Sequence, residues 1–262
     1  MYATVNNASL FAATGGKEFD PNQPSIIFLH GAAMDHTAWA LQSRYMAHHG
    51  FNVFALDLPG HGKSEGDIPG SIDEMADSVI AFMDSAGLKS ATLVGHSMGS
   101  LTGLSAAGRY PDRIDKLVMI GTAFPMMVGE DFLNRAKAND PSAYLMMIDW
   151  SHARPSHVGQ AEVPGLWMIG NALRTVERAG DGTLYKGLSL CSTYEGGFEA
   201  AENLKCPVLF ILGDKDMMTM PRAAQKLIAS ISGSKTVLLK DCGHMQMIEK
   251  AEDVRKALID FM

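Results

Sequence analysis

Long apolar runs are missing from this chain, and so are blocks of like charge. No stretch approaches the roughly 20 consecutive apolar residues that cross a bilayer, so the sequence offers no transmembrane helix. No block of about five or six like charges suggests a solvated tail. The balance of 22 Lys+Arg against 29 Asp+Glu leaves a net charge of −7. That sign argues against nucleic acid or an anionic membrane as the main partner, because both select basic surfaces. Cysteine is scarce as well: Cys191, Cys206 and Cys242 are odd in number and show no C-x-x-C spacing. Neither a disulfide framework nor a zinc site is expected, and a reducing cytoplasmic setting is the simpler reading. The opening residues hold no basic side chain before Lys17 and no continuous apolar core, so they do not read as a signal peptide.

What is there is ordinary globular material. The 262 residues are 47% hydrophobic and 19% charged, enough for one large domain or two small ones around a sizeable core. Short β-rich runs alternate with longer helical patterns, the order that gives a mostly parallel sheet covered by helices. The strand candidates are residues 25–30, 51–57, 91–95, 114–121, 206–213 and 235–241. Most are continuous apolar runs, as strands buried on both faces require. The segments YATVN and LFAAT before them predict an N-terminal hairpin. Residues 73–86 place Met75, Val79, Phe82 and Met83 at spacings of three and four, which predicts a helix with one buried face. Residues 220–231 and 247–261 read the same way, with Pro221 suited to a first helical turn.

From about Ala123 to Lys205 no buried strand appears, and prolines at 141, 155 and 164 interrupt helical or irregular segments. About 80 residues are too many for a simple crossover between strands. A helical lid is expected there, and Phe132, Tyr144, Trp150, Trp167 and Met168 are candidates to roof a pocket. Packing of the lid onto the core is the plainer use for most of these side chains.

The stretch VGHSMGS puts Gly95 and Gly99 two places either side of Ser97. In a chain with 26 glycines that spacing means little without context. Here ATLVG before it reads as a buried strand, and the small-residue run after it reads as a helix. A serine at such a junction sits on a sharp turn, with the helix N-terminus aimed at any developing anion. Its hydroxyl needs a positioned base. Of nine histidines, His48 and His49 fall at a surface helix end, His152 and His157 in the lid, and His96 inside the turn with its side chain expected to point away from Ser97. His244 instead follows the last strand, where active sites of open α/β sheets assemble. The carboxylate that fixes the imidazole is expected from GDKD, with Asp216 deeper in its loop than Asp214 and preferred over it. Two N–H donors must face the tetrahedral oxygen. They are expected from Met98 and from Ala32, with Ala33 as the alternative.

These pieces occur together as HGAAMDHTAW (30–39), DLPGHGKS (57–64), GHSMGS (95–100) and GDKD…P followed by GH (213–221, 243–244). In that order they resemble the α/β-hydrolase superfamily, in its lidded branch of esterases, lactonases, haloperoxidase-like perhydrolases and C–C bond hydrolases. The resemblance covers residues 24–122 and 205–262, while the lid matches no single family. It implies an α/β fold with a mostly parallel eight-stranded sheet, helices on both faces and a helical cap inserted after the sixth strand. The core would then be 1–122 and 205–262, and the cap 123–204. His61 and Ser64 match a loop that is structural in most members. A serine rather than an aspartate at 97 speaks against epoxide-hydrolase and haloalkane-dehalogenase chemistry, and the lack of an HGGG stretch places the chain away from hormone-sensitive-lipase-like esterases.

The expected activity is that of a serine hydrolase cleaving a carboxylic ester of a small or medium apolar substrate through an acyl-enzyme. Ser97 attacks, His244 moves the proton, Asp216 stays ionised, and neither metal nor organic cofactor is required. Several methionines fall on the catalytic loops: Met34, Met98, Met217, Met218, Met220, Met245 and Met247. Flexible thioethers suit an adaptable apolar pocket. Met34, Met217 and Met245, with Trp150, are the candidate substrate contacts, although core gap-filling is the alternative for at least half of these methionines. A lactone, a thioester or a C–C bond beside a ketone would serve the same triad, and a hydrolase-like small-molecule receptor is the non-enzymatic alternative. Oligomeric state is left open.

Overall fold

The computed structural model describes residues 1–160 and 162–262. Eight strands form one sheet: β1 (Tyr2–Val5), β2 (Ala8–Ala13), β3 (Ser25–Leu29), β4 (Asn52–Leu56), β5 (Ala91–His96), β6 (Ile114–Ile120), β7 (Val208–Gly213) and β8 (Lys235–Leu239). Their order across the sheet is β1-β2-β4-β3-β5-β6-β7-β8. The hairpin β1–β2 and the β2–β4 pairing are antiparallel, and every later pairing is parallel. The chain leaves β3 to one side for β4 and returns on the other side as β5. The crevice at that reversal, beyond the strand C-termini, is where open α/β sheets bind ligands.

Alternation along the buried strands divides the core between the two faces of the sheet. Ile27 and Leu29 of β3 join Met75, Val79 and Phe82 of α2 (Ile72–Ser85) on one face. Ile26 and Phe28 join Met46 of α1 (Ala40–Ala47) on the other, with Val254 and Leu258 of the C-terminal helix. Each such large side chain contributes about 1.5–3 kcal/mol through its removal from water. β8 departs from the expectation of two-sided burial: four of its five residues are half-buried or exposed, because it is the sheet edge.

The elbow helix α3 (Met98–Arg109) follows β5 directly. Between β6 and β7 come α4 (Glu130–Lys137), α5 (Pro141–Ser151), α6 (Arg154–His157), α7 (Met168–Arg178), α8 (Thr183–Thr193) and α9 (Gly197–Glu202), with no strand among the described residues there. Pro141 and Pro155 stand in the first turns of α5 and α6, so they begin helices rather than interrupt them. After β7 comes α10 (Pro221–Ser230), with Pro221 in its first turn as expected. The expected single helix over 247–261 is instead two, α11 (Gln246–Glu249) and α12 (Ala251–Phe261), broken where Lys250 leaves helical geometry at φ −130° and ψ 53°. No described helix is long and apolar enough to cross a membrane.

Candidate active site

Ser97 sits between β5 and α3 with φ 53° and ψ −118°, a conformation a non-glycine residue adopts only when its surroundings enforce it. Its N–H donates to Ile120 O of the neighbouring strand at 3.0 Å. A Cβ on Gly95 would collide with the Gly99 backbone, and one on Gly99 with the carbonyl of Leu29. Both glycines are required by this close approach of α3 to the sheet, which leaves the Ser97 side chain partly exposed at the strand tips.

Met98 is the first residue of α3, so its N–H is one that the helix cannot satisfy itself. Ala32 lies in the loop after β3, and Ala33 turns the chain sharply with φ 54°. His30 braces this loop: its Nδ1–H donates to Gly31 O at 2.8 Å while Nε2 accepts from Leu58 N at 3.0 Å. Helix α8 covers the loop from above. A Cβ at Gly187 would fall 2.7 Å from Ala32 Cβ and 3.4 Å from Met98 Sδ.

Asp216 and His244 meet in the loops after β7 and β8. His244 Nδ1 and Asp216 Oδ2 are 2.8 Å apart, and both side chains are almost fully buried, at 2% and 1% exposure. Met218 N and Thr219 N donate to Asp216 Oδ1 at 2.8 and 2.7 Å, and the Thr219 hydroxyl donates to Oδ2 at 2.8 Å. Burial works to raise the Asp216 carboxyl, but the His244 charge and hydrogen bond, with the Thr219 donors, outweigh it and hold the group below its ordinary value. Asp214 stays outside, accepting from Cys242 N at 3.2 Å and pairing with Lys215 at 3.3 Å.

His96 reaches the neighbouring His244 loop, a contact the sequence reading did not anticipate. Its Nε2–H donates to His244 O at 2.8 Å, and the two rings lie 4.6 Å apart. Burial, reinforced by His244, pushes the His96 pKa well below the usual histidine value and keeps the ring neutral. The His244 N–H in turn donates to Ser151 O at the end of α5, at 2.8 Å. Thr219 and Ser151 escaped the sequence reading. The D-x-x-T spacing of Asp216 and Thr219, a side-chain-capped turn, was the available signal for the first. Nothing local to residue 151 announces the second.

Beside Ser97 opens a cavity of about 140 Å³ lined by Ala32, Phe132, Trp150, Leu188 and Met217 among others, with no charged side chain in its wall. Trp150 and Met217 thus stand where substrate contacts were expected. Met34 and Met245 do not. They are buried and line a separate gap of about 20 Å³ beneath α5 and α7, where they fill space between helices. Of the other candidate roof residues, Trp167 is 73% exposed, Met168 packs in the core and Tyr144 packs against it.

Among the described residues one side-chain group has the spacing of metal ligands, Asp35, His36 and Asp57. Its carboxylates are already engaged. Asp57 accepts from His36 N at 2.6 Å, His36 Nδ1 at 2.9 Å and Lys63 N at 2.9 Å. Asp35 accepts from Thr37 N at 2.9 Å and from Arg178 at 2.8 Å. This cluster ties loops together.

The same architecture recurs in known proteins. A family model described as the alpha/beta hydrolase fold matches residues 24–142. A pimeloyl-[acyl-carrier protein] methyl ester esterase of Neisseria meningitidis is 26% identical over 219 residues, covering 80% of this chain and 82% of its own. The AB hydrolase superfamily protein YisY of Bacillus subtilis is 27% identical, with 90% of both chains covered. The enol-lactonase from Burkholderia xenovorans LB400 superposes with a TM-score of 0.86 at 25% identity, over 100% of this chain and 99% of its own. With the sheet order and the serine turn already described, these likenesses show that the chain has the α/β-hydrolase fold.

Proposed function

We propose that the protein is a serine hydrolase that cleaves carboxylic esters with a compact apolar acyl group, through an acyl-enzyme. The observation that carries this reading is the 2.8 Å Asp216–His244 hydrogen bond, buried beside a serine held in a strained turn. Ser97 Oγ attacks the acyl carbon as His244 Nε2 takes its proton. The N–H groups of Met98 and Ala32 receive the oxyanion. His244 then protonates the leaving alcohol and later activates water, while Asp216 stabilises the imidazolium without taking a proton. No metal or organic cofactor enters these steps.

The helices over 123–204 act as a cap that closes the acyl cavity from above. At about 140 Å³ and without charge, that cavity matches an acyl group of about six carbons, since an apolar void of roughly 150 Å³ holds benzene. Esters from acetate to hexanoate are expected to be turned over increasingly well, with rates falling from octanoate onward. A methyl ester esterase and an enol-lactonase among the similar proteins support cleavage of an acyl–oxygen bond, and the full-length likeness to the lactonase makes a lactone the second substrate class to test. Small molecules in the cytoplasm are the proposed substrates.

A fluorophosphonate probe tests the reading, followed by a panel of p-nitrophenyl esters, lactones and thioesters. Labelling of the wild type and none of Ser97→Ala is expected. Equal labelling of the two proteins would remove Ser97 as nucleophile.

A further inference from the structure

Glu249 is a buried carboxylate that the reaction does not use. It is 4% exposed in α11, and among the described residues no lysine or arginine pairs with it. Four neutral donors surround it instead. Oε1 accepts from Gly243 N at 3.0 Å and Met245 N at 3.3 Å, the two amides that flank His244. Oε2 accepts from Ala153 N at 2.8 Å and the Ser156 hydroxyl at 2.7 Å, at the start of α6. Next to this carboxylate Ser151 O receives the N–H groups of His244 at 2.8 Å and Met245 at 3.1 Å. The contact is tight enough to dictate a residue. A Cβ on Gly243 would fall 2.6 Å from Ala153 N, 2.7 Å from Glu249 Oε1 and 2.8 Å from Ser151 O.

We propose that Glu249 is a positioning residue for catalysis: it clamps the His244 loop to residues 151–156 and so sets where the imidazole stands. This rests on His244 being the base of the proposed reaction. A carboxylate used only as core filler would be a poor choice, because burying a charge without a cation is costly and apolar residues fill space better. Burial pushes the Glu249 carboxyl above its usual range, against the pull of all four donors. What the carboxylate achieves, and an apolar side chain cannot, is to receive donors from two distant chain segments at one point. A capping role within α11 would need the Gly243 and Met245 contacts alone, not Ala153 and Ser156. The imidazole is thereby located from three sides: Asp216 holds Nδ1, His96 holds the His244 carbonyl, and the clamp holds the amides around it. Displacements of about 1 Å in such a base cost on the order of 100-fold in rate.

Glu249→Gln keeps the shape but turns one acceptor into an NH₂ group facing donors. The expected result is a kcat lower by about 10- to 100-fold per fluorophosphonate-titrated site, with KM for a p-nitrophenyl ester changed less than threefold. Titration of active sites removes any contribution from unfolded protein. Hydrogen exchange of the amides in 242–246 and in 152–157 should accelerate together. Ser156→Ala, which touches only the Oε2 side, should lower kcat several-fold in the same manner, and the double variant should lose less than the product of the two. Wild-type kcat per titrated site in both variants, or faster exchange confined to α11 and α12, overturns the proposal. Exchange does not involve Ser97. Labelling of Ser97→Ala would therefore remove the triad reading, while coupled exchange at the two segments would still establish the clamp.

Discussion

Two aspartate–histidine pairs stand at the strand ends of this molecule with nearly the same geometry. His36 Nδ1 lies 2.9 Å from Asp57 in the loops after β3 and β4, and His244 Nδ1 lies 2.8 Å from Asp216 in the loops after β7 and β8. What differs is what each pair faces. Asp57 also takes the backbone N–H of His36 and of Lys63, and the His36 ring packs edge-on against Phe11 at 4.9 Å. That pair closes on itself and fixes two loops. The His244 ring packs instead against His96, the residue before the strained serine. An Asp–His hydrogen bond can thus serve only to stiffen a loop, and it is its neighbour that gives the second pair its proposed chemical role.

The difference can be broken experimentally. Ser97→Ala should lower kcat by about 10⁴-fold or more while leaving the melting temperature near wild type, because in such triads the nucleophile and base act as a unit. Retained turnover would place the chemistry elsewhere. Asp216→Asn should cost about 10³- to 10⁴-fold in kcat by releasing the imidazole from its tautomer. Asp57→Asn, changing the matching atom of the other pair, should leave kcat per titrated site within a few-fold. It should instead lower stability by about 1–3 kcal/mol through unsatisfied donors, or roughly 2–12 °C in melting temperature for a chain of this size. Equal kcat losses in the two variants would abolish the distinction between the pairs.

Beside the structural pair, Asp35 gives a pH test. Burial opposes ionisation of Asp35, but Thr37 and Arg178 prevail and hold its carboxyl below the ordinary 3.8. A carboxylate depressed on folding stabilises above its unfolded value, and the contribution disappears as pH falls through the folded one. The urea stability gap between wild type and Asp35→Asn should be full at pH 7 and shrink below about pH 4. A gap independent of pH would show that the charge of Asp35 is irrelevant. The smallest effect is expected at Asp214→Asn, two residues from the proposed triad carboxylate Asp216, where kcat should change less than twofold.

The parts of this site that were legible in the sequence are those written within a few residues of each other. Apolar runs ended by glycine or aspartate announced the parallel strands, and the glycines around Ser97 announced its turn. That Asp216 and His244 come together was legible because strand ends are recognisable in a buried sheet. The supports were not legible, because they join segments far apart: Ser151 O to His244 N, Glu249 to Ala153 and Ser156. The His96 contact was missed for the same reason, since its partner is a carbonyl 148 residues away. Met34 and Met245 show a different limit. A methionine suits a substrate pocket and a gap between helices equally well, and only the packing of α5 and α7 over these two decides.

Gly187 carries a consequence for how this protein diversifies. The cavity wall offers Leu188 and Cys191, neighbours on the same helix, whose exchange would reshape the cavity one side chain at a time. Position 187 is closed to that traffic, because even a methyl group there reaches Ala32 at 2.7 Å and presses on the loop proposed to receive the oxyanion. Selection acting on substrate range can therefore travel along α8 only by stepping around its glycine. A combinatorial library built on this roof should randomise 188 and 191 and leave 187 untouched.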